Sequence, residues 1–499
     1  MGKRTILIAM AACLFLVAAD AAPQGPYWNQ FRGPTGDGVS RTQNLPIHFD
    51  DTTNLRWKTP IHDLGWSSPV VWGDQIWLTT AQDDGTKFFA ICVDLKSGDI
   101  IHDIKVFDEA QPQGTFQRNN THASPTPIVE EGRVYVHFGA YGTACLDTKT
   151  GEKLWENREL KCKHGVLPGS SPILDGDNLI LTYDGEDYQY VTALDKHTGE
   201  VSWLTLRDGS PALGESPEQV EREKSADQYK SFATPLIIEY QGKKQLISPG
   251  AWTTYSYDPD TGEEIWRMRH EGPAWNLQCR PVFAHGLVFY TTGIAHRLVA
   301  VRPDGTGDVT DTHLVWEADR APKIPSPVIV DDLLFMVNGS GGRVTCIEAK
   351  TGERVWRERL PAGGAYWGSP VYADGRIYFA NTRGVVSVIA ATREFQLLAE
   401  NRFNLEGLPQ EGSLDPEALN TGKIFGGGRT QRGFIASPAI AGDAIILRTD
   451  THLYCMANLS GADGQESSGA SAAGTVTAKQ IMAFYDANGD GKISSGLTL

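Results

Sequence analysis

The chain repeats an eleven-residue unit that opens on a small residue, turns at Thr-Gly and closes on Trp, and any fold must accommodate it. The clearest copy is Ala193-Leu194-Asp195-Lys196-His197-Thr198-Gly199-Glu200-Val201-Ser202-Trp203, and Cys145 to Trp155, Ser256 to Trp266 and Cys346 to Trp356 share its spacing. Cys92 to His102 keeps Ser97-Gly98 but has His in place of Trp, and Ala300 reaches Trp316 across an insertion around Gly305. The copy near Val388 lacks the turn Gly, and Cys455 to Gly461 stops before any Trp. A second landmark precedes each unit, a small or polar residue and Pro opening an apolar strand, at Pro69, Pro125, Pro172, Pro235, Pro281, Pro327, Pro370 and Pro438. Most of these strands reach a polar turn and a second strand, as Asp374-Gly375 does before Arg376-Ile377-Tyr378-Phe379-Ala380. Each repeat is therefore about four strands in ~40 to 50 residues, the pattern of propeller blades around a central channel.

The eighth unit lacks its last strand, and Asn54-Leu55-Arg56-Trp57-Lys58 is an orphan strand with Trp57 where the missing Trp belongs. Pairing the two predicts an all-β, eight-bladed β-propeller over residues 54–461, closed between an N-terminal strand and the last blade. Ahead of it, residues 22–53 contain Trp28-Asn29-Gln30-Phe31-Arg32-Gly33-Pro34 but too few apolar residues for a domain, and are expected to pack on the ring. Residues 1–21 read as a cleaved signal peptide: Lys3 and Arg4 precede an apolar run from Thr5 to Ala19, and Ala19-Asp20-Ala21 offers the small residues of a cleavage site. That run is shorter than the ~20 residues that span a bilayer, so the expectation is export to the periplasm or cell envelope with no transmembrane segment after cleavage.

After the ring, residues 462–474 form a Gly/Ser/Ala linker, and 475–499 read as a short amphipathic helix followed by a partial EF-hand. Asp486-Ala487-Asn488-Gly489-Asp490-Gly491-Lys492-Ile493-Ser494 resembles the first nine positions of a calcium loop. Side-chain oxygens of Asp486, Asn488, Asp490 and Ser494 and the backbone carbonyl of Lys492 are its candidate ligands. Leu497 stands where a bidentate Glu belongs and no second helix follows, so a weak calcium site and a degenerate remnant both fit.

The repeated Ala-x-Asp-x-x-Thr-Gly-x-x-x-Trp resembles the repeat of the pyrroloquinoline-quinone (PQQ) propeller family. The resemblance implies that Trp57, Trp155, Trp203, Trp266, Trp316 and Trp356 pack blade against blade and do not stack on a cofactor. Enzymes of that family hold the quinone beneath two adjacent, disulfide-linked cysteines, with calcium and a catalytic Asp beside it. This chain has no adjacent Cys pair and no Cys-x-x-Cys-His haem motif. It is therefore more similar to the BamB-like, non-catalytic branch, which implies a scaffold for an envelope protein or polysaccharide, with no PQQ and no catalytic residues. The alternative is a PQQ-dependent dehydrogenase with a divergent pocket. Cys92, Cys145, Cys346 and Cys455 occupy the small opening position and read as buried, whereas Cys162 and Cys279 lie in connections with no pairing assigned.

Lys and Arg total 45 against 61 Asp and Glu, a net charge of −16, which argues against nucleic acid as a partner because the long-range field repels phosphate. Residues just before each Pro-marked strand should gather at one channel mouth. Arg118, Asn120 and His122 precede the second blade, Lys163 and His164 the third, and Lys230 the fourth. Trp275, Asn276, Gln278 and Arg280 precede the fifth, Lys323 the sixth, Tyr366 and Trp367 the seventh, and Arg429 and Arg432 the eighth. Together they predict a positive, aromatic-lined basin for an anionic or carbohydrate-like ligand. Glu215, Glu218, Glu221 and Glu223, in the long connection 204–230, are the acids that would otherwise neutralise them.

Overall fold

A computed structural model of the chain describes residues 27–112, 120–212, 225–272, 274–405 and 433–459. Residues 1–21, Arg118, Glu215, Glu218, Glu221, Glu223, Arg429, Arg432, the linker 462–474 and the partial EF-hand with Asp486, Asn488, Asp490, Lys492 and Ser494 lie outside the described residues. No helix among the described residues is long and apolar enough to cross a membrane.

The repeated unit is a local solution to joining two sheets. In four copies Oδ1 of Asp94, Asp147, Asp195 or Asp258 accepts the backbone N–H groups two and three residues on, at 2.7–3.1 Å, and so closes the turn. The turn glycine then adopts positive φ, +77° at Gly199 and +75° at Gly352, and lies flat against the Trp ring of the preceding blade. A Cβ on Gly199 would come within 2.5 Å of Trp155, and one on Gly352 within 2.7 Å of Trp316. The indole N–H completes the joint by donating to a carbonyl of the same turn. Trp57 reaches Leu95 at 2.9 Å, Trp155 reaches Lys196 at 2.9 Å, Trp203 reaches Pro259 at 3.1 Å and Trp316 reaches Ala349 at 3.0 Å. The unit opens on a small residue because that residue faces the Trp across the sheet, as Ala193 does Trp203 and Cys346 does Trp356.

Eight sheets result, and within blades 1 to 7 the four antiparallel strands are hydrogen-bonded in chain order. Blades 1 to 7 span residues 70–108, 128–157, 173–206, 236–269, 282–319, 328–359 and 371–402. The eighth combines Ala439–Ala441, Ala444–Arg448 and His452–Ala457 with Leu55–Pro60, whose Trp57 stands opposite Cys455. The eight-bladed propeller closed by its own N-terminal strand is thus the observed fold. One blade departs from the pattern: Gly307–Asp308 adds a fifth strand, parallel to Glu264–Arg269, and Trp266 donates instead to Gln245 Oε1 at 2.9 Å. One landmark is displaced. The inner strand of blade 2 is Ile128–Glu130, so Pro127, and not Pro125, holds the position of Pro69 and Pro172. The six cysteines among the described residues are buried free thiols.

Because five neighbouring pairs of blades, the closing pair among them, are joined by a Trp on the next blade's turn, damage at the closure should propagate round the ring. Trp57→Ala should lower unfolding free energy by about 3–5 kcal/mol, the cost of deleting a core aromatic. Gly199→Ala, which strains the backbone and strikes Trp155, should also lower the urea midpoint, whereas Gly375→Ala, where a Cβ meets nothing within 4 Å, should cost only its positive-φ strain.

Candidate functional site at the channel mouth

The residues preceding the inner-strand prolines are Ser68, Thr126, Ser171, Thr234, Arg280, Ser326, Ser369 and Ser437. A residue before Pro is held extended, and the Pro nitrogen donates nothing, so the preceding N–H must look sideways for an acceptor. It finds the hydroxyl of the next blade. Ser68 N–H donates to Thr126 Oγ1 at 2.9 Å, Thr126 to Ser171 at 2.9 Å and Ser171 to Thr234 at 3.0 Å. Arg280 N–H donates to Ser326 Oγ at 2.8 Å, Ser326 to Ser369 at 2.9 Å, Ser369 to Ser437 at 2.8 Å and Ser437 back to Ser68 at 3.1 Å. This bracelet of hydroxyls encircles the channel and lacks one link, between Thr234 and Arg280.

Arg280 uses the gap. Its side chain, 2% exposed, donates to Pro235 O at 3.1 Å, to Phe31 O and to Gln30 Oε1, tying the N-terminal segment beneath the bracelet. Arg32, 1% exposed, does the same on the other side, donating to the carbonyls of Ser326, Pro327, Pro370 and Asp37. Burial pulls both guanidinium groups down, Arg32 to about 10 and Arg280 to about 9. Gly36 makes this approach possible, since a Cβ there would lie 2.4 Å from the Arg280 guanidinium carbon. The segment also pairs with inner strands: Trp28 bridges Val71 of blade 1, Val129 N–H of blade 2 donates to Asn29 O, and Val39 bridges Tyr372 of blade 7. Residues 28–39 thereby cross the channel, which becomes a cup.

The cup encloses about 310 Å³. Its floor is Phe31 with the bracelet residues Ser68, Thr126, Ser171, Thr234, Ser369 and Ser437. Of the residues singled out in the sequence, Asn120, Lys230, Asn276, Gln278, Lys323 and Trp367 line it. Trp367 meets Trp66 edge to face at 6.0 Å, and Trp66 Nε1 donates to Asp450 at 3.0 Å. Asn120 commits its amide N–H groups to the carbonyls of Val166, Leu167 and Pro168, at 2.9–3.0 Å, and so shapes the rim. No Asp, Glu or Cys is among the described lining residues.

The remaining singled-out residues take other places. Lys163 lies 3.5 Å from Glu186, which also stands 3.4 Å from Lys230. Trp275 packs on Trp252 with ring centroids 5.2 Å apart, and Tyr366 is buried in blade 6 to 7 packing. His122 packs against Phe88 and Tyr141, and His164 against Phe232, both buried. Sequence reasoning missed the bracelet, although its signal, Ser or Thr before seven of the eight Pro landmarks whether the second is placed at Pro125 or at Pro127, was there to be read. Phe31 was missed because it precedes no Pro-marked strand, whereas Trp66, three residues before Pro69, carries the same signal as Trp367 before Pro370.

The sequence profile described as "Outer membrane protein assembly factor BamB" matches residues 41–211 and 189–467. Over 155 residues the chain is 31% identical to the quinoprotein ethanol dehydrogenase of Pseudomonas putida, a match that covers 28% of this chain and only 22% of that relative. Among solved structures, BamB from Moraxella catarrhalis superposes with a TM-score of 0.53 at 13% identity, covering 80% of this chain and 98% of that one. A europium-containing methanol dehydrogenase superposes at 0.59 with 12% identity, covering 85% and 90%. The quinohemoprotein alcohol dehydrogenase of Comamonas testosteroni gives 0.59 at 12% identity, covering 91% and 83%. At these identities the structures share the fold.

Desolvated imidazoles in the propeller set a pH dependence. Burial pushes His164 down to about 4, His137 to about 3 and His270 to about 4, below the ordinary histidine value near 6.5. The unfolded chain then binds more protons than the folded one between these limits, so stability present above about pH 6.5 is lost as pH falls towards 4. Each group contributes a slope of up to about 1.4 kcal/mol per pH unit. Urea unfolding followed from pH 7 to 4.5 should show this loss, and His270→Gln, which keeps an acceptor for Thr254, should reduce the slope by about one proton.

Proposed function

This chain belongs to the propeller family described as outer membrane protein assembly factor BamB, and from that premise we propose that it is a non-catalytic scaffold of the cell envelope that holds a protein partner at the channel mouth. The observation that carries the reading is the cup. It is closed beneath by residues 28–39 and lined by hydroxyls, amides, lysines and a Trp pair, the set that receives polar or acidic side chains of a bound segment. The described lining offers the amide oxygens of Asn276 and Gln278 but no carboxylate, a donor set with little charge for a calcium ion, which supports the scaffold reading. An envelope location agrees with the family and with the N-terminal apolar run read as a signal peptide.

A second reading, a quinone-dependent oxidoreductase, rests on the stretch shared with the ethanol dehydrogenase. Two measurements separate them. A photo-crosslinking residue at Gln278 should label one envelope protein, one at the exposed turn residue Glu353 should not, and Trp367→Ala should weaken the labelled complex about tenfold or more. Equal labelling from both positions contradicts the scaffold reading. Alcohol-dependent dye reduction requiring both PQQ and calcium would establish the enzyme in its place.

A further inference from the structure

Propeller blades are radial, so neighbouring sheets diverge outwards and the side chains of their outer strands must fill the wedge between them. Between blades 3 and 4 the filling is charge-balanced. Arg267, which follows the docking Trp266, pairs with Glu264 two residues before that Trp and with Asp208, five residues beyond Trp203 in the preceding blade. Between blades 1 and 2, Arg158 likewise pairs with Glu109 at 2.7 Å.

The wedge between blades 5 and 6 has the same arginine without those two acids. Counted from Trp356 and Trp316, Arg357 takes the place of Arg267, Arg354 that of Glu264 and Ala321 that of Asp208. Arg320 lines the same space, and Arg343 stands directly opposite Arg359 across the sheet, an arrangement of like charges that costs stability unless something neutralises it. The wedge holds a cavity of about 350 Å³, lined by Arg320, Thr345, Arg354 and Arg357, with Asp319 as its one acid. Arg357 Nε is shut from solvent without an acceptor. Burial lowers the Arg357 pKa, and Arg343, Arg320 and Arg354 lower it further.

We infer that this wedge binds a tetrahedral oxyanion, a phosphate or sulfate group either free or as an ester, in a site separate from the channel mouth. The planar guanidinium forks of Arg354 and Arg357 match such a group, and the anion supplies the negative charge that Glu264 and Asp208 supply between blades 3 and 4.

The test titrates the full chain with sodium phosphate and with glucose 6-phosphate at constant ionic strength, by calorimetry and by thermal unfolding. Saturable binding to one site and a raised midpoint are expected. Arg357→Gln should weaken binding at least tenfold. Arg354→Glu, which installs the carboxylate that blade 4 uses, should abolish it and raise the midpoint of the anion-free protein. Lys323→Glu, at the channel mouth, should leave it unchanged, which separates this site from the partner site. Tighter binding of the sugar phosphate identifies esters as the source, and equal binding identifies the free anion. Binding of neither, or binding undiminished in both arginine variants, overturns the inference.

Discussion

A single contact organises the molecule, the Trp face of one blade laid on the turn glycine of the next. It constrains two chains of events at once. The glycine must take positive φ and carry no Cβ, which is why Gly199 and Gly352 cannot be replaced without moving Trp155 or Trp316. The turn must also aim a carbonyl at the indole, and the Asp two residues past the small opening position holds it there. Nearer the axis, the bracelet of hydroxyls couples the same blades a second time. A blade is thus fixed at two radii, and the angle between neighbours has little freedom.

A ring of blades closes only if every blade is present, and here the last joint is made by the first strand. Trp57 is both the docking residue of blade 8 and the device that returns the chain to its beginning. The N-terminal segment ahead of it is drawn into the channel by Arg32 and Arg280, two buried cations satisfied largely by backbone carbonyls. Such cations are tolerable because a guanidinium has five donors in a fixed plane and the prolines leave carbonyls pointing inwards. The closed floor of the cup is therefore a consequence of the single arginine that interrupts the bracelet.

The ring was legible in the sequence because its joints recur at fixed spacing, and recurrence survives the loss of individual letters such as His102 for Trp. The closure was legible for the same reason, since an orphan strand and an incomplete blade are complementary. The candidate site was only partly legible. Chain position before a Pro-marked strand brings Asn120, Asn276, Gln278, Lys323 and Trp367 to one mouth, but it does not say how deep each side chain lies. His122 and His164 are buried in neighbouring packing, Trp275 is half-buried against Trp252, and Arg280 runs through the floor. Pro125 misled because two prolines stand two residues apart, and only strand pairing tells which one begins the blade. Phe31 reaches the cup from far away in the chain, a placement no local pattern encodes.

Repetition also explains where chemistry concentrates. In a ring of equivalent blades, selection for the fold alone leaves equivalent positions equivalent, so a departure that lowers stability points to some other demand. Arg280 in place of a hydroxyl breaks the bracelet and builds the floor of the cup. Arg354 and Ala321, standing where the wedge between blades 3 and 4 has Glu264 and Asp208, unbalance the wedge between blades 5 and 6, where Arg357 Nε has no acceptor. Both changes place cationic groups in a chain whose net charge is −16, against the average field of the molecule. A repeat protein in this way exposes its own sites: the blade is written eight times, and Arg280 stands out against seven hydroxyl residues at the same position.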